Sequence, residues 1–182
     1  MVRKLSDFDF MLTTVDTYIN VENEIQRKQF VNEYSLDFIK KMTFENYILG
    51  QDNRDNFCYQ IETGLRPLGS IQGATASKFG MYYSLKEQKI KISKKWNIDN
   101  DENKSFDKIR SNILKLLSDG KVNDRQAIID NNISEMLKYK ILSIYLPTQY
   151  LSIFSKKYLN FFIAQFYEDP EKGKEYSEIY DK

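Results

Sequence analysis

The sequence predicts an α+β fold in which helices pack around a small, partly antiparallel sheet. Residues 79–85 and 89–96 alternate apolar with polar side chains across a polar turn, which is the pattern of a β-hairpin. Most other segments repeat apolar residues at helical spacing, and the clearest of these is 105–117. Thirteen tyrosines and twelve phenylalanines supply the large side chains that a buried core needs.

The first third of the chain is predicted to be helical. The predicted helices cover residues 7–19, 21–42, 44–49 and 56–65. Ser35 can restart a helix after a break, and Thr43 is the expected N-cap of the next one. Gly50 and Gly64 are expected to end the last two helices. A loop is predicted at 73–77, before the hairpin.

The second half is also mainly helical. Beyond the hairpin, an acidic surface loop is predicted at 97–107 and helices at 105–117, 124–130 and 155–167. Gly120 is expected to close the first of these helices. The run KILSIYL at 140–146 is apolar and short, so it predicts either a buried strand or the end of a helix. Residues 1–168 are predicted to form one globular domain, followed by a charged tail at 169–182.

The composition excludes several classes of site. The chain has no histidine, and its one cysteine, Cys58, falls in an apolar helical pattern typical of an inert core thiol. None of the glycine-rich phosphate-binding patterns is present. No apolar run reaches the length of a membrane span, so a soluble, cytoplasmic protein without a cofactor is expected.

Positive charge is concentrated in the hairpin although the whole chain has a net charge of only +1. Six lysines and one acid, Glu87, fall between residues 78 and 95. Alternation places lysines on one face of the second strand and isoleucines on the other. This pattern predicts contacts to a phosphate backbone, although a solvated sheet face would look the same.

Eleven residues are therefore candidate DNA contacts. The loop offers hydrogen-bonding side chains and the hairpin offers cations and aromatic rings for stacking on a base. The candidates are Ser70, Gln72, Thr75, Ser77, Lys78, Tyr82, Lys89, Lys91, Lys94, Lys95 and Trp96. Tyr82 and Tyr83 must lie on opposite faces, so only one of them is expected to face outward. Trp96, at the end of the strand, is expected to be accessible to solvent. The alternatives are ordinary turn chemistry for the loop and a core role for each ring.

Two segments resemble the N-terminal region of McrB-like proteins. They are FCYQIETGLRPLGSIQGATASKFGMYYS, from Phe57 to Ser84, and KILSIYLPTQYLSIFSKKYLNFF, from Lys140 to Phe162. In that family an N-terminal specificity domain precedes an AAA+ GTPase motor, which works with a separate nuclease subunit. The resemblance implies a bacterial module of modification-dependent restriction that reads methylated or otherwise modified cytosine in duplex DNA. It implies no catalysis by the module itself.

Two other functions stay open at this point. A protein-interaction domain that couples a motor to a partner is favoured by the near-neutral charge and by the aromatic stretch at 145–166, where Tyr150, Phe154 and Phe162 would form a patch. A metal-dependent nuclease would need carboxylates and a lysine close together, for which Glu62 and Lys78 are available.

Overall fold

The computed structural model describes residues 17–50, 53–73, 75–154 and 156–164 and has an α+β fold, as predicted. The first helices are α1 (Thr17–Glu33), α2 (Leu36–Lys41), α3 (Phe44–Tyr47) and α4 (Phe57–Tyr59). The sheet consists of β1 (Met81–Ser84) and β2 (Lys89–Ile92). The later helices are α5 (Glu102–Lys121), α6 (Arg125–Asp130), α7 (Glu135–Tyr145) and α8 (Lys156–Ala164).

The predicted helix break before Ser35 is confirmed, whereas the predicted separation between residues 7–19 and 21–42 is wrong, because α1 runs through residue 20. Helix α1 ends at Glu33, and the Ser35 hydroxyl accepts a hydrogen bond from the Phe38 N–H, which starts α2. Thr43 starts α3 by donating through both its N–H and its hydroxyl to Asn46. Residues 7–16 of the first predicted helix lie outside the described residues, and its remaining residues belong to α1.

The predicted helix at 56–65 changes its winding within two turns. Asn56 caps α4, since its side chain accepts from the Tyr59 N–H at 2.8 Å. The chain then widens into a π-helix over Gln60–Gly64 and tightens into a 3-10 turn over Arg66–Leu68. This segment buries Cys58, as predicted, and burial raises the pKa of its thiol well above the usual range.

The hairpin is real, but both strands are shorter than predicted. Residues Ala76–Phe79 form a 3-10 turn, and the chain after Ile92 turns back on itself, with the Trp96 N–H bonded to the Ser93 carbonyl at 2.8 Å. The two strands pair antiparallel, and Leu49 adds a single parallel bridge beside β1. The Tyr83 N–H donates to the Leu49 carbonyl, so Tyr83 and its partner Ile90 form a pair without hydrogen bonds between the two strands. The backbone groups of Ile90, and those of Ile92 two residues later, therefore point away from β1. That outer edge of β2 has no hydrogen-bonded strand among the described residues.

After the hairpin, the described secondary-structure elements are all helices, joined by turns and loops. Asp101 and Asp124 cap α5 and α6 through their side chains, as their positions before the helices require. The prediction that Gly120 closes α5 is wrong, because the helix continues to Lys121 and Gly120 gives the Leu142 side chain room to pack against it. The 140–146 segment is the end of a helix, α7.

Helix α7 lies at the centre of the molecule. Every residue from 137 to 144 is buried, including two lysines and a serine, so the helix is covered on all sides. Helix α5 packs against α7, and the ring cluster of Phe30, Tyr34, Tyr47, Phe57 and Phe106 fills the core between the N-terminal helices and α5. The tail at 169–182 lies outside the described residues.

No helix in the described part of the chain combines the length and the apolar character needed to cross a membrane.

A substitution at Gly80 tests how closely the hairpin packs against the core. Its φ is +82°, and a Cβ there would lie 2.7 Å from both Cδ1 and Nε1 of Trp96. Gly73 has a similar φ of +96° with nothing within 4 Å. We expect Gly80→Ala to lower the free energy of unfolding by about 2–4 kcal/mol, and Gly73→Ala by about 1–2 kcal/mol from backbone strain alone. Urea titration of both variants measures the difference, and equal losses would show that Trp96 does not hold Gly80.

Candidate nucleic-acid interface

The strand register separates the hairpin into two faces. One face packs against the core and carries Met81, Tyr83, Ile90 and Ile92. The other, which we call the outer face, carries Tyr82, Ser84, Lys89 and Lys91. In the register, Tyr82 pairs directly with Lys91 and Ser84 with Lys89. An aromatic ring and two cations therefore share one surface only two strands wide.

The prediction that the two tyrosines diverge is confirmed. Tyr83 packs against the core, and its hydroxyl donates to the Gln88 side chain at 3.1 Å. Tyr82 is half-buried and lies outside that core cluster, on the outer face. Tyr82 is thus the hairpin aromatic that remains available for a stacking contact.

The lysines in and after the hairpin differ in whether a carboxylate offsets their charge. Lys89 and Lys91 share Glu87, with nitrogen-to-oxygen distances of 3.3 and 2.7 Å. The hydrogen bond from Lys91 lowers the pKa of the Glu87 carboxyl, so this acid stays charged and offsets part of the local field. Among the described residues, no carboxylate pairs with Lys94 or Lys95, which are both exposed.

The prediction that Trp96 is accessible to solvent is wrong. The turn after β2 folds the indole back against Gly80, where it is 2% exposed. Two ammonium groups lie over its ring, Lys95 at 5.6 Å from the centroid and Lys108 at 5.9 Å. Trp96 thus positions cations and does not itself meet a ligand in this conformation.

The burial of Lys78 does not support the prediction that this lysine contacts DNA. Lys78 is 9% exposed and forms an ion pair with Glu62 of the π-helix. Its carbonyl accepts from the Ser134 hydroxyl at 2.9 Å. The two residues available for a nuclease site therefore bind each other, and a buried ion pair that joins two segments has a structural role.

The polar loop residues are exposed and partly satisfied by one another. The Ser70 hydroxyl accepts from the Gln72 N–H at 3.2 Å, and the hydroxyls of Thr75 and Ser77 bond to each other. The Ser77 carbonyl accepts from the Ser93 hydroxyl at 3.4 Å. This contact places the end of the loop next to the end of β2, so the loop and the hairpin are neighbours, as predicted.

The start of the loop is held by a buried lysine that the sequence analysis missed. Lys140 of α7 is 0% exposed. Its ammonium donates to three backbone carbonyl oxygens, those of Leu65 at 2.7 Å, Leu68 at 3.0 Å and Gly69 at 2.7 Å. Burial lowers the pKa of this group from 10.5 to about 7. The only signal in the sequence was a lysine inside an otherwise apolar run.

A second missed cation is Lys108 of α5, whose nitrogen donates to the Lys95 carbonyl at 2.7 Å. Lys95 in turn donates to the Asn132 carbonyl at 2.6 Å. Burial and the nearby charge of Lys138 lower the pKa of Lys95. Across the described residues, no three cysteine, aspartate or glutamate side chains converge as ligands for a metal ion.

Comparison of the chain with protein families, with curated proteins and with solved structures finds no match. The resemblance to McrB-like proteins therefore stays a prediction from the two sequence segments.

The role of Lys140 predicts a large and pH-dependent effect on stability. Lys140→Met leaves three carbonyl oxygens without a donor, and we expect it to lower the free energy of unfolding by about 2–5 kcal/mol near pH 7. The exposed Lys41, changed to Met, should cost less than about 0.5 kcal/mol.

The direction of the pH dependence follows from the lowered pKa. Between pH 7 and 10.5 the unfolded chain keeps a proton on Lys140 that the folded protein has released. The wild type should therefore gain stability relative to Lys140→Met as pH rises through that interval, by at most about 1.4 kcal/mol per pH unit. Urea titrations of both proteins at pH 6, 7.5 and 9 (values chosen to bracket the pKa of about 7) give the difference. A difference that stays constant with pH would contradict the lowered pKa.

Proposed function

We propose that this chain is a DNA-binding module that meets the duplex with the outer face of the hairpin and with the lysines that follow it. The observation that carries the proposal is the concentration of cations in one segment, with Lys89 and Lys91 on the outer face and the exposed Lys94 and Lys95 in the turn that follows β2. Cations without a carboxylate partner gain most from a phosphate backbone, because binding releases counterions from the DNA.

The local character of this charge also supports the proposal. With a net charge of +1, the chain has no global field that would attract any polyanion. A patch that contacts few phosphates gives modest affinity, so selectivity must come from contacts to bases. Tyr82 supplies an aromatic ring on the cationic surface, and the exposed side chains of Gln72, Thr75 and Ser77 supply hydrogen bonds beside it.

The finer proposal rests on the sequence resemblance. The base that is read is a methylated or otherwise modified cytosine, and the chain performs no reaction and uses no cofactor. It acts in the bacterial cytoplasm, where an AAA+ GTPase motor and a nuclease subunit, in the same or separate chains, act on the DNA that it has bound.

A second candidate function, binding to a partner protein, is favoured by a different surface. The predicted patch is not there as expected, because Tyr150 and Phe154 are buried and the side chain of Phe162 lies outside the described residues. Near them, however, Leu151, Tyr158 and Phe161 are 52%, 65% and 67% exposed. A contiguous patch of exposed apolar side chains is typical of a surface that binds another protein.

Loss of the exposed lysines tests the DNA proposal. We expect the double variant Lys94→Ala, Lys95→Ala to bind every duplex more weakly, whatever its modification, because phosphates carry no sequence information. The slope of log affinity against log salt should flatten by about 0.9 per lost phosphate contact. Fluorescence anisotropy across a salt series measures both quantities.

The matched control is Lys40→Ala, Lys41→Ala, which removes two adjacent exposed lysines from α2, away from the hairpin. Its affinity and slope should equal those of the wild type. If both double variants lose affinity alike, binding is spread over the surface and the hairpin is not the site.

Tyr82 tests base contact separately from phosphate contact. Tyr82→Ala should weaken DNA binding by about 1–3 kcal/mol, the range for a base stacked on an aromatic ring, and leave the melting temperature nearly unchanged. Tyr83→Ala removes a ring from the core side and should instead lower the melting temperature. Affinity for plain, 5-methylcytosine and 5-hydroxymethylcytosine duplexes, measured with both variants, is the readout. A wild-type affinity and modification preference in Tyr82→Ala would remove Tyr82 from the site.

A further inference from the structure

Two lysines from separate elements are fixed over the same indole ring. Lys95 follows β2 and Lys108 lies in the second turn of α5, yet their nitrogens are 5.6 and 5.9 Å from the Trp96 centroid. Each nitrogen also donates to a backbone carbonyl, Lys95 to Asn132 and Lys108 to Lys95 itself. These contacts restrict two side chains that would otherwise be among the most mobile on the surface.

Two other lysines of α5 pair with carboxylates, whereas Lys95 and Lys108 do not. Lys104 lies 3.6 Å from Asp99 and Lys115 lies 2.6 Å from Asp119. Among the described residues, no carboxylate pairs with Lys95 or Lys108. Both ammonium groups use one of their three N–H donors on a carbonyl oxygen and have two left.

Further positive charge lies close by. Lys94 is exposed next to Lys95, and Lys138 of α7 is near enough to oppose the charge of Lys95. Lys138 itself is buried and bonded to Glu135, whose charge also acts on Lys95. Holding Lys95 close to other cations is unfavourable, and a bound anion would relieve this repulsion.

We propose that Lys95 and Lys108, held over Trp96, form a phosphate-binding corner at the junction of the hairpin and α5. The proposal rests on the proposed function in one respect, since it assigns the phosphate to the DNA backbone. It extends the contact surface beyond the hairpin to a helix and gives the buried Trp96 a role in positioning the two cations. Ammonium groups act on phosphate as point charges, so two fixed lysines suffice without a guanidinium fork.

The test uses Lys108→Gln, with Lys104→Gln as its matched control on the same helix. In the first arm, a short unmodified duplex is titrated across a salt series. We expect Lys108→Gln to lower the affinity about tenfold at low salt and to flatten the salt slope by about 0.9, and Lys104→Gln to change neither. Thermal melting confirms that both variants are folded, and the charge-retaining Lys108→Arg should keep most of the affinity.

In the second arm, inorganic phosphate is titrated at constant ionic strength against chloride, and the emission of Trp96, the chain's one tryptophan, is followed. The wild type and Lys104→Gln should respond to phosphate, and Lys108→Gln should not. If no protein binds DNA but this response persists, the phosphate corner stands and the DNA-binding proposal falls. If DNA binds and Lys108→Gln keeps the wild-type affinity and slope, the corner is overturned while DNA binding stands. If neither DNA nor phosphate distinguishes Lys108→Gln from the wild type, the corner is likewise overturned.

Discussion

The contact between the Lys140 ammonium and three carbonyl oxygens organises the centre of this molecule. It joins α7, which is covered on all sides, to the end of the segment that winds from α4 through the π-helix into the 3-10 turn. The carbonyl oxygens at the end of such a segment lack helical partners and attract a cation. An isolated ammonium in this position would be costly, but three acceptors offset much of that cost. The loop that begins at Gly69 therefore starts from a fixed point.

The candidate interface depends on a second constraint at the other end of the same loop. The turn after β2 returns Trp96 to Gly80, and only a residue without a side chain leaves room for the indole. This packing turns Lys95 toward α5, where Lys108 meets its carbonyl. The core contact of the tryptophan and the surface position of the two cations are thus consequences of one turn. The loop between Gly69 and Gly80 is held at both ends, while the side chains of Ser70, Gln72, Thr75 and Ser77 remain exposed.

Patterns that repeat over a few residues predicted this structure well, and contacts between distant residues were not predictable. Alternation alone assigned Tyr82 and Tyr83 to opposite faces, because the geometry of a strand leaves no other arrangement. The helix starts at Ser35 and Thr43 were equally local. Lys78, in contrast, pairs with Glu62 sixteen residues earlier, and Lys140 bonds to a carbonyl seventy-five residues away. Apart from the apolar residues around Lys140, nothing in the sequence distinguishes either lysine from an exposed one, so pairing emerges only with the tertiary fold. Trp96 was misplaced because the end of β2 came four residues early.

The outer edge of β2 carries a consequence for how this protein behaves in concentrated solution. A strand edge with unsatisfied N–H and C=O groups is a template on which another chain can add a strand. Here the edge is only four residues long. When two copies approach each other along this edge, Lys89 and Lys91 of one copy repel the same lysines of the other. The lysines that face DNA in the proposed complex therefore also oppose self-association in its absence. Removing them takes this repulsion away from the strand edge, and light scattering is then needed to separate a variant that has lost its ligand from one that has begun to aggregate.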